Sequence, residues 1–532
     1  MVSILSSSAT MVIFCVMNAT LASWTPGIFC TSFSIFAAQL AQSNPSSLNT
    51  AFMVITFEQM NKYSTIRTLR GYNSEDVDTA GMSAEGNVSM LLGDPRKAIR
   101  TMTVPLLIAL LVIQVNALAD RAWCSGLGTD ALAATAICAP LYEVITGLGT
   151  GLGVGGAAVV SRYIGAGSRR EASEGTAQTL LFSLVFGLVL TPVLVLLCRD
   201  ILVAVGSGDV TGVSYDYMIW IMVGTPVFIL NGAVAGLIRG EGAARMSTVM
   251  MVVLALANIV LDPILIYGLD MGIAGASVAT VLATTVSTLI GLYYYRESSY
   301  IKLHRSDLRP DSGKMRTVLR AGVPQMAEYT VMYAMNLVLN YLVIWCAGSE
   351  GLAVYSVPSM VVNIALLPAY AVGSALVPVA SAAYGRGDMK RMRDAYRYSI
   401  RFSAWMVLLL TALLFIIPDP FIYPFTYSDG TEYLRGEMAE ALRIYALCIP
   451  FYCFIPLGSS MLQALTLPNW SLAMSFVRNI VFIIMYAAGA MVSLYWIYWA
   501  VVFGSMVGGL MAYLLADRGF RKMGADPKAR PV

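Results

Sequence analysis

"VVSRYIGAGSRR" (159–170) ends a long apolar run in small residues, two glycines and a pair of arginines, and 220 positions later "VASAAYGRGDMKR" (379–391) does the same. Two further pairs share nearly the same offset. "VPLL" at Val104–Leu107 recurs as "VPQM" at Val323–Met326, 219 positions on, and "NIV" at 258–260 recurs at 479–481, 221 positions on. One offset shared by three separate stretches implies a duplicated unit. Each unit holds six apolar runs. Six is even, so equivalent points in the two halves face the same side of a membrane, which is the parallel-repeat arrangement of transporters with a cavity between the halves.

The composition agrees. The 532 residues are 58% hydrophobic and 12% charged, against roughly 25% charged in soluble domains. The apolar runs are long enough to cross a hydrocarbon core of about 30 Å as helices. Twelve spans are expected, near 98–122, 132–161, 174–198, 214–238, 246–268, 271–295, 317–346, 351–383, 396–417, 438–465, 469–492 and 495–516. The fold class is therefore an all-α polytopic membrane protein, two six-helix lobes related by a parallel repeat. The N-lobe is expected over 96–296, an inter-lobe loop over 297–316, the C-lobe over 317–516 and a tail over 517–532.

Lys and Arg crowd the loops at 162–173, 296–320 and 384–401 and the tail, whereas the opposite loops hold little beyond Arg121, Arg199 and Arg435. The positive-inside rule makes the crowded set cytoplasmic, with both ends of the twelve-helix unit on that side. Residues 1–95 form an extension. Its stretch 9–41 reads as one extra helix, 71–95 as a linker, and Met82 as an alternative start. The first 61 residues contain no Lys or Arg, unlike an ordinary signal peptide. A net charge of +3 gives no reason to expect nucleic acid as a partner. The eight cysteines contain no C-x-x-C pair and read as helix-packing residues, and the single histidine, His304, argues against metal catalysis.

The repeat is broken where it carries charge. Asp262 lies in the apolar run "ANIVLDPILIYG" (257–268), one turn after Asn258 and directly before Pro263; four positions after Asn479 in the second half stands Ile483. Asp120 maps onto Leu339 and Asn340. The two intramembrane acids thus belong to the first half alone. A charged side chain at the bilayer centre costs roughly 2.5–3.5 kcal/mol on insertion scales, a cost relieved by a proton or a coordinated cation. Asn258 and Asp262 share a helix face. Pro263 leaves the Ile259 carbonyl without its usual donor and should kink the helix.

These stretches resemble the MATE (multidrug and toxic compound extrusion) transporters: "LLGDPRKAI" (91–99), "NALADRAW" (116–123), "GAAVVSRYIGAG" (156–167), "LIRGEGAAR" (237–245) and, most specifically, "NIVLDPILIYGLDMGIAGASVAT" (258–280). They are most similar to the DinF-like and archaeal-type branch, and the resemblance covers about 91–516. It implies secondary active efflux of organic cations or amphiphilic compounds by antiport with protons or sodium ions, from the plasma membrane, by a monomer with no cofactor. It also implies a cation site of Asp120, Asn258, Asp262 and Thr280. In sodium-dependent relatives an acid stands on the seventh helix where this chain has Met332, a departure that leaves a second-lobe sodium site unsupported.

Glu143, Tyr267, Glu328 and Tyr329 are candidates to line a substrate cavity. "GLGTGLGVGG" (147–156) matches G-x-G-x-x-G but follows no strand, so it reads as close helix packing. No G-x-x-x-x-G-K-[ST] is present and no nucleophile cluster stands at either membrane face, so neither ATP hydrolysis nor an enzyme is expected. The alternative is a flippase for lipids or lipid-linked oligosaccharides, for which Arg478 in the eleventh span would serve a phosphate.

Overall fold

The computed structural model describes residues 83–426 and 432–525, and every regular element among them is helical. The possible extra helix over 9–41 lies outside the described residues. A short helix α1 (Ala84–Leu92), N-capped by the Ser83 hydroxyl, occupies most of the last part of the expected 71–95 linker. It forms because Val88 and Leu91, one helical face, are buried.

The first lobe follows as α2 (Pro95–Ser125), α3 (Thr129–Gly165), α4 (Arg169–Val205), the pair α5 (Thr211–Val223) and α6 (Thr225–Gly240), α7 (Ala244–Pro263) and α8 (Gly272–Glu297). The second lobe starts with one continuous element, Ser312–Gly385, broken at Gly348 by a φ of 67° into α9 (Ser312–Gly348) and α10 (Val354–Gly385). Then come α11 (Met389–Ile416), α12 (the segmented span Glu432–Ala464), α13 (Pro468–Ala490) and α14 (Leu494–Ala525). With α5 and α6 counted as one span bent by 53°, twelve helices among the described residues are long and apolar enough to cross a membrane. That bend was not expected in the single run 214–238. It falls at Gly224, directly before the Thr225–Pro226 start of α6, where proline is tolerated because the first turn needs no N–H partner.

The repeated helix ends at 159–170 and 379–391 are built alike. Gly167 and Gly387, 220 positions apart, take left-handed φ values of 79° and 73° just past the ends of α3 and α10. Ser168 N–H then reaches back to the Tyr163 carbonyl (2.9 Å), and Asp388 N–H to that of Ala383 (3.0 Å), closing both helices alike. The two helix ends also meet. A Cβ on Gly165 would strike the Ala382 carbonyl, and one on Gly385 would strike that of Arg162. Because 162 and 382, like 165 and 385, are related by the same 220-residue offset, this contact is reciprocal, as a pseudo-two-fold axis between the lobes requires.

Packing follows from that contact. At the basic end a single apolar core joins the lobes, running through Ile164, Ala235, Tyr294, Val379, Ala383 and Met392. At the other end each lobe has its own core, one around Cys138, Met218 and Ile266, the other around Val343, Tyr355 and Ile497. Apolar packing thus merges the lobes at the basic end, and a small cluster of Leu152, Ile229 and Met326 joins them further along α3. Helix α3 is the pivot. One glycine face, Gly147, Gly151 and Gly155, lies against Tyr329, Met326 and Gly322 of α9; the other, Gly149 and Gly153, lies against Ile229 and Gly232 of α6. The glycine run is thus the close-packing device expected of it. Among the described cysteines, Cys124, Cys138, Cys198, Cys448 and Cys453 are buried and all are free thiols.

Candidate functional site

Helix α7 carries two polar side chains into the first lobe at helical spacing. Asn258 and Asp262 are both buried, Asp262 completely. The Asn258 amide donates to Asp262 Oδ1 (2.9 Å) and, from the same nitrogen, to the Thr280 hydroxyl of α8 (3.3 Å). Thr280 in turn donates to the Ala276 carbonyl (3.0 Å), so its oxygen faces Asn258 as an acceptor. Three of the four expected cation-site residues are therefore hydrogen-bonded into one cluster.

The fourth, Asp120 on α2, comes within electrostatic reach of Asp262, and Cys124 one turn later feels both carboxylates. The Arg121 guanidinium makes no ion pair with Asp120 among the described residues but lies within its electrostatic reach. A further residue joins them that the sequence did not single out. Asn116 stands one turn before Asp120, as Asn258 stands one turn before Asp262, so α2 and α7, packed together, each contribute an Asn-x-x-x-Asp pair. The spacing itself was the available signal.

The cluster is short of partners. Asn116 Oδ1, Asp120 Oδ1 and Asp262 Oδ2 are all buried oxygens with no hydrogen-bond donor. An unsatisfied buried acceptor is costly, and a carboxylate oxygen in that state is relieved by a proton or a hard monovalent cation. The backbone beside these oxygens departs from α-helical geometry. Pro263 ends the α-helical ladder, and Ile264–Gly268 widen into a π-helical turn, with Leu269 N–H bonding the Ile264 carbonyl (2.9 Å). Such turns occur often at functional sites.

The other candidates separate. Glu143 on α3 is exposed and lies near Tyr333, which stacks on Tyr329 (centroids 6.5 Å apart) across from Gly147. These residues face each other where α3 of one lobe meets α9 of the other. Tyr267 is directed elsewhere: its hydroxyl donates to the Trp123 carbonyl at the end of α2 (2.6 Å). Glu328 is buried inside the second lobe, where its Oε2 accepts from Ser459 (3.0 Å) and Ser471 (2.8 Å). Arg478 is also buried, bonded to Ser475 (3.1 Å) and within electrostatic reach of Glu328. Its charge thus has a carboxylate close by.

The chain matches the family model described as MatE over residues 105–264 and 324–488, once in each lobe. It is 25% identical to the probable multidrug resistance protein YoeA of Bacillus subtilis over 64% of this chain and 74% of that protein. It is 24% identical to an FAD transporter of Shewanella oneidensis, over 79% and 90% respectively. Its fold is similar to a crystal structure of MATE in complex with MaL6, with a TM-score of 0.79 and 27% identity over 83% of this chain and 99% of that one. It is also similar to the outward-facing conformation of a multidrug resistance MATE family transporter, with a TM-score of 0.78 and 27% identity over the same shares.

Proposed function

The chain belongs to the MatE family, transporters rather than enzymes, and from that premise we propose that it exports organic cations and amphiphilic compounds by antiport with a proton or sodium ion. The observation that carries this reading is the trio of unpartnered buried oxygens, Asn116 Oδ1, Asp120 Oδ1 and Asp262 Oδ2. The entering ion relieves the carboxylate oxygens. When it is bound, Asn258 and Thr280 hold Asp262 in place and the π-helical turn beyond Pro263 takes up the altered geometry. Loss of the ion leaves two carboxylates facing each other, a state that a cationic substrate can stabilise.

Substrate binds where the close α3–α9 contact ends, beside Glu143 and the Tyr329–Tyr333 pair. The exposed Glu143 carboxylate and the stacked Tyr329–Tyr333 pair suit a flat cation by charge and by ring quadrupole. Glu328, tied behind Tyr329 by two serines, shapes that wall. One relative is named for FAD rather than for drugs; the carboxylate beside the tyrosines is what favours cations here. The basic end is the cytoplasmic side and the protein works as a monomer in the plasma membrane. The lobes share a core at that end, which corresponds to an outward-facing state.

The test is transport into sealed vesicles with proton and sodium gradients imposed separately. One gradient should drive uptake of a cationic dye by the wild type, and Asp262→Asn should abolish that uptake while inserting normally. Equal gradient-driven uptake by Asp262→Asn, or uptake dependent on neither ion, would overturn the reading.

A further inference from the structure

Helix α1 sits across the seam between the lobes at their basic end. On one side it meets the first lobe. Leu91 is fully buried, and Val88 and Leu91 belong to the shared core that contains Ala243, Ala244, Tyr294 and Ile301 of the first lobe as well as Val379, Ala383 and Met392 of the second. The fit is close: Gly242 takes a left-handed φ of 84°, and a Cβ there would lie 2.7 Å from the Asn87 carbonyl and 3.2 Å from Leu91 Cβ. On the other side the helix meets the second lobe through its carboxyl end. Arg386 Nη1 donates to the Leu92 carbonyl (3.1 Å), and Arg391 Nη2 donates to the carbonyls of Leu91 (3.3 Å) and Gly93. Those carbonyls are the orphan acceptors at a helix end, and two guanidiniums cap them in place of a local partner.

The two attachments differ in kind. The first is apolar, continued by the covalent link through Asp94, whose carboxylate caps α2. Opening it exposes hydrocarbon to water. The second consists of hydrogen bonds from arginines that stand exposed or half-buried at the membrane surface, where water can replace each bond. Arg386 and Arg391 also flank Gly387, next to the Gly385–Arg162 contact that closes the lobes. The covalent link to α2 ties the strap to the first lobe, so separation of the basic ends breaks these bonds to the second.

We propose that residues 83–94 are a latch: docked through Arg386 and Arg391, the segment holds the basic ends of the two lobes together and biases the transporter toward the state open at the opposite end. This rests on the transporter reading for its consequence only; the distances that test it are measured without transport, so a failed vesicle assay leaves them interpretable.

The experiment places spin labels at Glu171 and Lys390, both exposed and on opposite lobes, in full-length protein with its eight cysteines replaced. Distances are read in lipid nanodiscs. The double variant Arg386→Gln, Arg391→Gln should raise the ratio of long to short distances roughly tenfold, about the effect of losing a charge-assisted hydrogen bond from a two-state equilibrium. Arg397→Gln, which removes an exposed charge of the same sign on the same helix, should leave the ratio unchanged. An unaltered distribution in the double variant, or the same shift in Arg397→Gln, would overturn the latch. A second arm avoids loss of fold as an explanation. Leu92→Cys with Arg386→Cys, bridged by a flexible bifunctional thiol reagent while the distance labels are carried on orthogonal non-thiol side chains, should tie the strap to the second lobe and hold the short distance in every molecule. A cross-linked protein that still populates the long distance would overturn the latch as well.

Discussion

Glu241 lies in the turn between α6 and α7, outside the spans, yet it is buried; the Ser299 hydroxyl lies within hydrogen-bonding reach of both its oxygens (2.9 and 2.8 Å), and it accepts from the Tyr300 N–H (3.2 Å). Burial pushes its carboxyl up to about 7, against the opposing pull of Ser299, Tyr295 and the Tyr300 and Ile301 backbone. A raised folded value means that the native state holds a proton that the unfolded chain has released. Below about 4.5 both states are protonated and Glu241 has no effect. Between there and about 7, stability falls as pH rises, by on the order of 3 kcal/mol in all, and above that window the loss is constant. Thermal unfolding in detergent at stepped pH should show this decline in the wild type and lack it in Glu241→Gln; a parallel decline in both would assign it to other groups. Residue-scale features were legible in the sequence where they were local. Asn258 and Asp262 stood out as polar residues one turn apart in an apolar run. Glu241 did not, because its partners come from a loop nearly sixty positions on, and Asn116 was passed over although it repeats the same spacing.

Among the elements, α3 bears the tightest constraint, since its two glycine faces touch different lobes. A Cβ on Gly153 would run into the Gly232 carbonyl of α6, and backbone cannot yield as a flexible side chain can. Gly153→Ala should therefore destabilise the protein by about 1–3 kcal/mol, the usual cost of overpacking. Gly436→Ala, where nothing lies within 4 Å of the added carbon, should be neutral. Thermal denaturation of the two variants side by side checks this, and equal melting temperatures would contradict it. The sequence announced the small residues of α3 but not their partners, because α9 lies far along the chain and only tertiary packing brings Gly322 and Met326 against it. The bend at Gly224 had a readable cue in the Gly-Thr-Pro that follows a continuous apolar run. Helix α1 had a weaker one. Its single apolar face is too short to declare itself apart from the core that buries it.

For the whole molecule, the duplication was the most legible feature, and the reciprocal contact of 162 with 385 and 165 with 382 gives it physical form. What the repeat could not disclose is the end at which the lobes share a core, since that depends on tertiary packing. The asymmetry of intramembrane charge is global too: Asp120 and Asp262 in one lobe, the serine-bound Glu328 and the buried Arg478 in the other. Under the proposed exchange the ion and the substrate oppose each other through Asp120 and Asp262, and linkage requires each to weaken the other's binding by the same factor. The most direct measurement is the affinity of purified protein for a fluorescent cationic substrate, titrated against proton and sodium concentration. In the wild type, one of these ions should weaken substrate binding progressively. In Asp262→Asn, nearly isosteric and permanently neutral, affinity should no longer depend on that ion. The same ion-dependent displacement in Asp262→Asn as in the wild type would contradict the coupling role of this site.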